Sequence, residues 1–230
     1  MPLVPRAAAL CSLLLPLFSL PVLAAPPLPA CAYEDRPAAL TGYDRWPDTL
    51  LDTLYALPES YAPEDLVPLT GAGVGTPEMR VRAVVVADLR ALLGAAEAAG
   101  VALEVQSAYR SYRYQESTFA SWVEQDGLEA ALKTSARPGH SEHQLGTALD
   151  FRSADGPPAW ELADWRDTPE GAWLAENASS FGFVMSYPAG REAVTCYSYE
   201  PWHYRYIGRD AAAAVIDSGL TLRAWLWGRQ

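Results

Sequence analysis

The chain has 230 residues, enough for one or two domains. Half of them are hydrophobic and 20% are charged, which supports a packed core and excludes a disordered chain. A net charge of -11, from 17 basic against 28 acidic residues, repels phosphate backbones and anionic membranes, so general nucleic-acid or lipid-surface binding is disfavoured.

Residues 1–24 read as a secretory signal peptide. Arg6 precedes an apolar stretch that ends near Val22, and small residues follow at Val22-Leu23-Ala24. Pro16 and Pro21 interrupt the stretch, which is too short for a membrane anchor. The expectation is export to the periplasm, the cell wall or the outside, with no integral membrane span in the mature chain. Cys11 leaves with the signal, and Cys31 and Cys196 remain. In an oxidising compartment these two can pair, provided the fold brings them within bridging distance. The competing reading of Cys31 is a lipid attachment site after Leu28-Pro29-Ala30.

Residues 25–47 are rich in Pro and Ala and read as an arm over the surface. Residues 48–230 are expected to form one domain. Helices are expected over 48–57 and over 77–99, where Val81, Val84, Val85, Leu89, Leu92 and Leu93 recur at helical spacing before Gly100. Residues 101–107 alternate as a half-buried strand, and 111–126 read as a helix closed by Gly127. A polar loop over 134–146 leads into a strand over 147–152. A helix over 168–181, strands over 183–187 and 199–206, and a helix over 209–218 complete the chain. No regular strand–helix–strand repeat is present. The expected class is therefore α+β, a mainly antiparallel sheet with helices packed against it.

Chemistry concentrates in two places. Pro138-Gly139-His140-Ser141-Glu142-His143-Gln144 runs on to Asp150, and Glu200-Pro201-Trp202-His203 follows about 50 residues later; together they hold all three histidines of the chain. A catalytic zinc needs three protein ligands and an open position for water, which His143, Asp150 and His203 can supply. Glu200 is left over, and a carboxylate beside an acidified water can take its proton and pass it to a leaving amine. A turn at Gly146 would bring His143 and Asp150 together. Glu200 and His203 are harder to place, because residues three apart on a plain strand face opposite sides. A bulge or twist would have to re-aim one of them.

These residues carry a resemblance. Ser141-x-His143-x-x-Gly146-x-Ala148-x-Asp150 with Glu200-x-x-His203 is similar to the signature of the zinc peptidases that group lysostaphin, D-alanyl-D-alanine metallopeptidases and the hedgehog amino-terminal domain. The fuller strings, with Ser107-Ala108-Tyr109-Arg110-Ser111 and Gln115 upstream, resemble the VanY-type D-alanyl-D-alanine carboxypeptidases over residues 53–208. The resemblance implies a hedgehog/D,D-peptidase-like fold and one Zn2+ on His143, Asp150 and His203. It further implies Glu200 as acid/base, Arg110 as the charge that stabilises the substrate carbonyl, and peptidoglycan stem peptides as substrates. Ser141 and Gln115 match positions of substrate contact. Trp202 is a candidate wall of the site, although large aromatics also fill cores.

Phe183-Val184-Met185-Ser186-Tyr187 lacks a basic residue expected near Ser186, and His140 matches no defined role. The reading is an exported zinc peptidase that removes a terminal D-alanine. Its rivals are an L,D-carboxypeptidase, a D,D-dipeptidase or a stem-peptide endopeptidase with the same motifs. From other classes come a zinc-bearing wall-binding module without catalysis and a metal-free structural domain. No oligomeric state is legible.

Overall fold

The computed structural model describes residues 27–39, 42–73, 75 and 78–230; the expected signal peptide and Pro77 lie outside them. The strands are β1 (Arg36–Pro37), β2 (Tyr55–Ala56), β3 (Leu66–Pro68), β4 (Arg80–Arg82), β5 (Leu103–Ser107), β6 (Ala148–Ser153), β7 (Phe183–Met185) and β8 (His203–Tyr206). The helices are α1 (Val86–Ala98), α2 (Tyr112–Asp126), α3 (Leu128–Thr134), α4 (Pro169–Asn177), α5 (Glu192–Thr195), α6 (Arg209–Ser218) and α7 (Leu222–Trp227). Among the described residues, no helix is long and apolar enough to cross a membrane.

The central sheet has the order β5-β6-β8-β7, every neighbour antiparallel, so the fold is the expected mix of helices and antiparallel sheet. Strand alternation divides its two faces. Leu149 and Phe151 on β6 and Tyr204 and Tyr206 on β8 join the main core with Leu89 and Leu92 of α1, Leu174 of α4 and Trp165. Asp150, His203 and Arg205, the residues between them, belong to neither the main core nor its flanking apolar residues. On β6 and β8 the other face thus carries polar groups, whereas on β7 Val184 turns to a second apolar cluster. Each large side chain buried on the apolar face contributes about 1.5–3 kcal/mol. A second cluster, Leu50, Val184, Ile207, Val215, Leu222 and Leu226, seals α6 and α7 onto the fold.

Local rules explain the helix ends. Ser111 caps α2 by accepting the Tyr114 amide, and Gly127 ends it at a φ of 83°. Thr168 caps α4, with Pro169 in the first turn.

Several expected elements differ. Residues 48–57 are not helical. The buried Asp52 carboxylate accepts the Leu54 and Tyr55 amides at 2.8 and 2.9 Å and pairs with Arg223 Nε at 2.6 Å. Those bonds hold a turn that leads into β2, and such side-chain to backbone bonds compete with a helix. The helix expected from residue 77 begins at Val86, because Arg80–Arg82 pairs with β3 instead. α3, α5 and α7 were not legible as separate helices, being 7, 4 and 6 residues long. The strand expected from residue 199 begins only at His203.

The described part of the arm is tied down. Cys31 and Cys196 are joined by a disulfide with Cα atoms 5.4 Å apart, and β1 pairs in parallel with β2. Asp35 Oδ1 meets Arg137 Nη1 at 2.6 Å and His140 Nε2 at 2.9 Å. His140 Nδ1 lies 2.7 Å from the Asp52 carbonyl. His140 therefore has a place: fully buried, it links the arm and the Asp52 turn to the polar loop.

Candidate metal centre and active site

The site is built where the polar loop meets two neighbouring strands. Ser141 accepts the His143 amide and starts a single 3-10 turn over Glu142–Leu145, which Gly146 ends at a φ of 70°. A side chain at Gly146 would also press on Arg82 and Leu66, each 3.0 Å from an added Cβ. This reversal carries His143 back over β6, as the turn at Gly146 was expected to do. Asp150 of β6 lies directly opposite His203 of β8 in the sheet register. Directly opposed side chains start about 4.5–5.5 Å apart at Cβ, close enough to share one ion.

The Glu200–His203 spacing is resolved by neither a bulge nor a strand twist. Residues 200–203 form a turn in which the His203 amide donates to the Glu200 carbonyl at 3.2 Å, with Pro201 in second position. Glu200 thereby comes back over the strand, and its Oε2 lies 4.0 Å from His203 Nδ1. A bulge does occur nearby, in β5 between Val105 and Ser107, opposite Phe151 and Asp150. Just beyond β5, the Arg110 amide donates to the His143 carbonyl, and Arg110 Nη2 lies 3.7 Å from Asp150 Oδ2.

His143, Asp150 and His203 offer ligand atoms that all lie within 4.8 Å of one another, and all three residues are buried. Each imidazole turns one nitrogen toward Asp150 and has the other engaged outside the ligand cluster. His143 Nδ1 lies 2.6 Å from the Ala108 carbonyl, and its Nε2 is buried without a hydrogen-bond partner. His203 Nε2 lies 2.9 Å from Glu142 Oε2, and its Nδ1 faces Asp150 Oδ1 at 2.9 Å. An orphaned buried imidazole nitrogen beside a carboxylate and a second imidazole is a donor set that fits zinc.

Charge follows from burial and these contacts. Burial, followed by the Arg110 charge, pushes the His143 ring down to about 4. Burial acts downward on His203 too, but its hydrogen bonds to Asp150 and Glu142 carry it up to about 10. Burial would raise Asp150 and Glu142; the neighbouring histidines hold Asp150 well below the usual carboxylate range, and His203, Arg205 and Ser186 hold Glu142 at about 2. At Glu200 the balance differs, because His203 and Arg110 lower it only in part while Asp150 and Glu142 act against them. Burial lifts it to about 8, which keeps a proton on it at neutral pH while no cation is near.

These groups open into a cleft of about 620 Å3, within the range of small-ligand sites. Arg110, Ser141, Glu200 and Trp202 line it with the three ligands. One wall is a face of α2 with Tyr114, Thr118 and Trp122, and Trp160 and Tyr199 stand elsewhere along it. Arg110 is the only Lys or Arg among the described lining residues. Gln115 stands apart: 1% exposed, it donates its amide to the Ala136 carbonyl at 2.7 Å behind the wall.

The family model for VanY, D-alanyl-D-alanine carboxypeptidase, matches residues 78–209. The chain belongs to the VanY family. That match takes in Arg110, the polar loop, Asp150 and the Glu200–His203 turn. Among curated relatives, YodJ of Bacillus subtilis (strain 168), named as a carboxypeptidase, is 36% identical over 181 residues, covering 76% of this chain and 65% of YodJ. The chain thus spans just under two thirds of that relative. Two solved structures share the fold at a TM-score of 0.66. One is a vancomycin-resistance D,D-pentapeptidase VanY in complex with Zn(II), 32% identical over 79% of this chain and 99% of that one. The other is the LD-carboxypeptidase LdcB, 34% identical over 78% of this chain and 86% of that one.

Residue identity alone did not point to Glu142, Ser186, Arg205 or the Ala108 carbonyl. Glu142 adjoins His143 in the loop, yet nothing in the sequence separates a buried, paired glutamate from a solvated one. Tyr187, whose ring stacks on His203 at 4.9 Å, was equally silent.

Proposed function

We propose that this VanY-family chain is an exported zinc peptidase that removes the C-terminal D-alanine from peptidoglycan stem peptides. The observation that carries the reading is a half-buried carboxylate, Glu200, set 4.0 Å from the His203 nitrogen that faces the ligand cluster, in a cleft with one guanidinium. Export is supported by the pattern of residues 1–24 and by the Cys31–Cys196 disulfide, since such bonds persist in oxidising compartments.

His143, Asp150 and His203 would hold zinc, which when bound would supply an acidified water and a Lewis acid for the scissile carbonyl. Glu200 takes the proton of the attacking water. Its burial suits it to hold that proton and then deliver it to the departing amine, because the carboxylic acid is its favoured form here. Arg110 presents a fixed positive charge to the oxygen on which negative charge builds. Its Nε is buried and has no hydrogen-bond partner among the described residues, so a donor is available. Ser141 and Trp202 line the cleft and are positioned to orient the peptide.

A second reading has a specific observation behind it. The likeness to LdcB equals the likeness to VanY in TM-score, and an L,D-carboxypeptidase would take D-alanine from a tetrapeptide instead. Mass spectrometry of products from stem pentapeptide, tetrapeptide and D-Ala-D-Ala, with a chelator control, separates these. Chelator-sensitive loss of one D-alanine from the pentapeptide is the expected result. Cleavage of the tetrapeptide alone would move the assignment to the L,D reading. No cleavage of any substrate by zinc-loaded protein would refute both.

A further inference from the structure

The hydrolytic step above leaves unused a buried acid that touches a ligand candidate. Glu142 is 4% exposed and accepts three contacts: His203 Nε2 at 2.9 Å and Ser186 Oγ at 2.5 Å on Oε2, and Arg205 Nη1 at 3.0 Å on Oε1. Arg205 is fully buried, and its other terminal nitrogen donates to the Trp46 and Thr49 carbonyls, both at 2.7 Å. The network runs unbroken from the segment before β2 to the imidazole of His203.

We propose that Glu142 is a positioning residue of the metal centre: it holds the Nε2 proton of His203, which dedicates Nδ1 to the cation and sets the plane of the ring. This inference rests on the zinc-peptidase reading and adds to it a residue outside the ligand set.

Three observations support it. First, the two imidazoles must present different nitrogens, Nε2 from His143 and Nδ1 from His203, and each has its other nitrogen engaged. A backbone carbonyl serves His143, whereas His203 has a carboxylate, which raises the basicity of the ring more strongly. Second, a buried ion pair is a poor source of stability, because an apolar replacement is often as stable or more so. Glu142 and Arg205 are therefore poorly explained as structure alone. Third, Ser186 donates its hydroxyl to Glu142 Oε2 and Arg205 donates to Oε1, so both oxygens are held and the carboxylate is fixed in place against the His203 ring.

The test measures metal and not turnover. Zinc dissociation constants of native protein and Glu142→Asp, which keeps the charge and loses the reach, are determined by chelator competition, with thermal unfolding of both metal-free proteins. Zinc binding weakened by roughly 10-fold or more is expected for Glu142→Asp. Binding within twofold of native, with only the metal-free melting temperature lowered, would reduce Glu142 to a structural residue and overturn the proposal. Should the variant fail to fold, nitrogen-15 NMR of the histidines in zinc-loaded native protein decides. A retained proton on His203 Nε2 with zinc on Nδ1 supports the proposal, and zinc on Nε2 overturns it. Zinc bound in the expected way by a protein that cleaves no stem peptide would refute the peptidase and leave this inference standing.

Discussion

Asp150 and His203 sit opposite one another on β6 and β8, with Oδ1 2.9 Å from Nδ1. Because Glu142 engages the other ring nitrogen, His203 carries a proton on each side, and its affinity for the second is raised to about 10. A cation on Nδ1 must take the place of that second proton.

Metal binding should therefore be proton-linked. With its affinity for the second proton raised, His203 in the free site holds the Nδ1 proton at neutral pH, so zinc affinity rises with pH through the neutral range and loading releases protons. Calorimetry in buffers of different ionisation enthalpy reads this directly. Affinity that is flat from pH 6 to 8, with no proton release, would contradict it.

Glu200 should separate catalysis from metal binding. Glu200→Gln is expected to keep zinc and lose about 10²–10⁴-fold in kcat. The same change should stabilise the metal-free protein at high pH. An unfolded glutamate ionises near 4.5 and the buried one near 8, so ionisation costs the folded state stability that grows as pH rises from 4.5 and levels off above 8. The variant lacks this cost. Its metal-free melting temperature should exceed native at pH 8.5 and match it at pH 4, and the reverse order would show that Glu200 is not buried as described.

On the proposed mechanism, Arg110 should contribute to the transition state and little to the fold. Arg110→Met is expected to lower kcat by roughly 10²–10³-fold with a smaller change in KM. Arg110→Lys should restore only part, since an ammonium lacks the planar fork. Equal loss in KM with kcat intact would make Arg110 a ground-state contact instead.

The disulfide closes a loop of 165 residues and anchors Cys196, which sits four positions before Glu200. Pairwise replacement by serine is expected to cost about 2–5 kcal/mol, seen as a lower melting temperature. Arg137 and His140 still hold Asp35, so the arm should remain docked near neutral pH. His140 and Arg137 lower the Asp35 carboxyl, so that contribution is present above its unfolded value and fades as pH falls below about 4. Unchanged stability in the serine variant would show that the disulfide adds nothing to the fold.

Much of this was legible in the residues. The periodicity placed 103–107, 112–126 and 148–153 to within a few positions, and it placed the end of the helix over 86–98 but not its start. Ser111, Gly127 and Thr168 marked helix ends because capping is local chemistry. With three histidines in the whole chain, the ligand candidates were few, and Gly146 signalled the reversal that brings His143 to Asp150.

Tertiary contacts decided the rest. A helix over 48–57 lost to a turn because Arg223, far along the chain, pairs with Asp52, whose own carboxylate binds the turn amides. Spacing alone argued against Glu200 and His203 sharing a site, until the turn at Pro201 reversed the chain. Local sequence determined the elements and the inventory of reactive groups, since propensity and capping act over a few residues. Only the packed structure determined which nitrogen each histidine presents and why Glu142 is buried, because those follow from partners such as Arg205, 63 residues away along the chain.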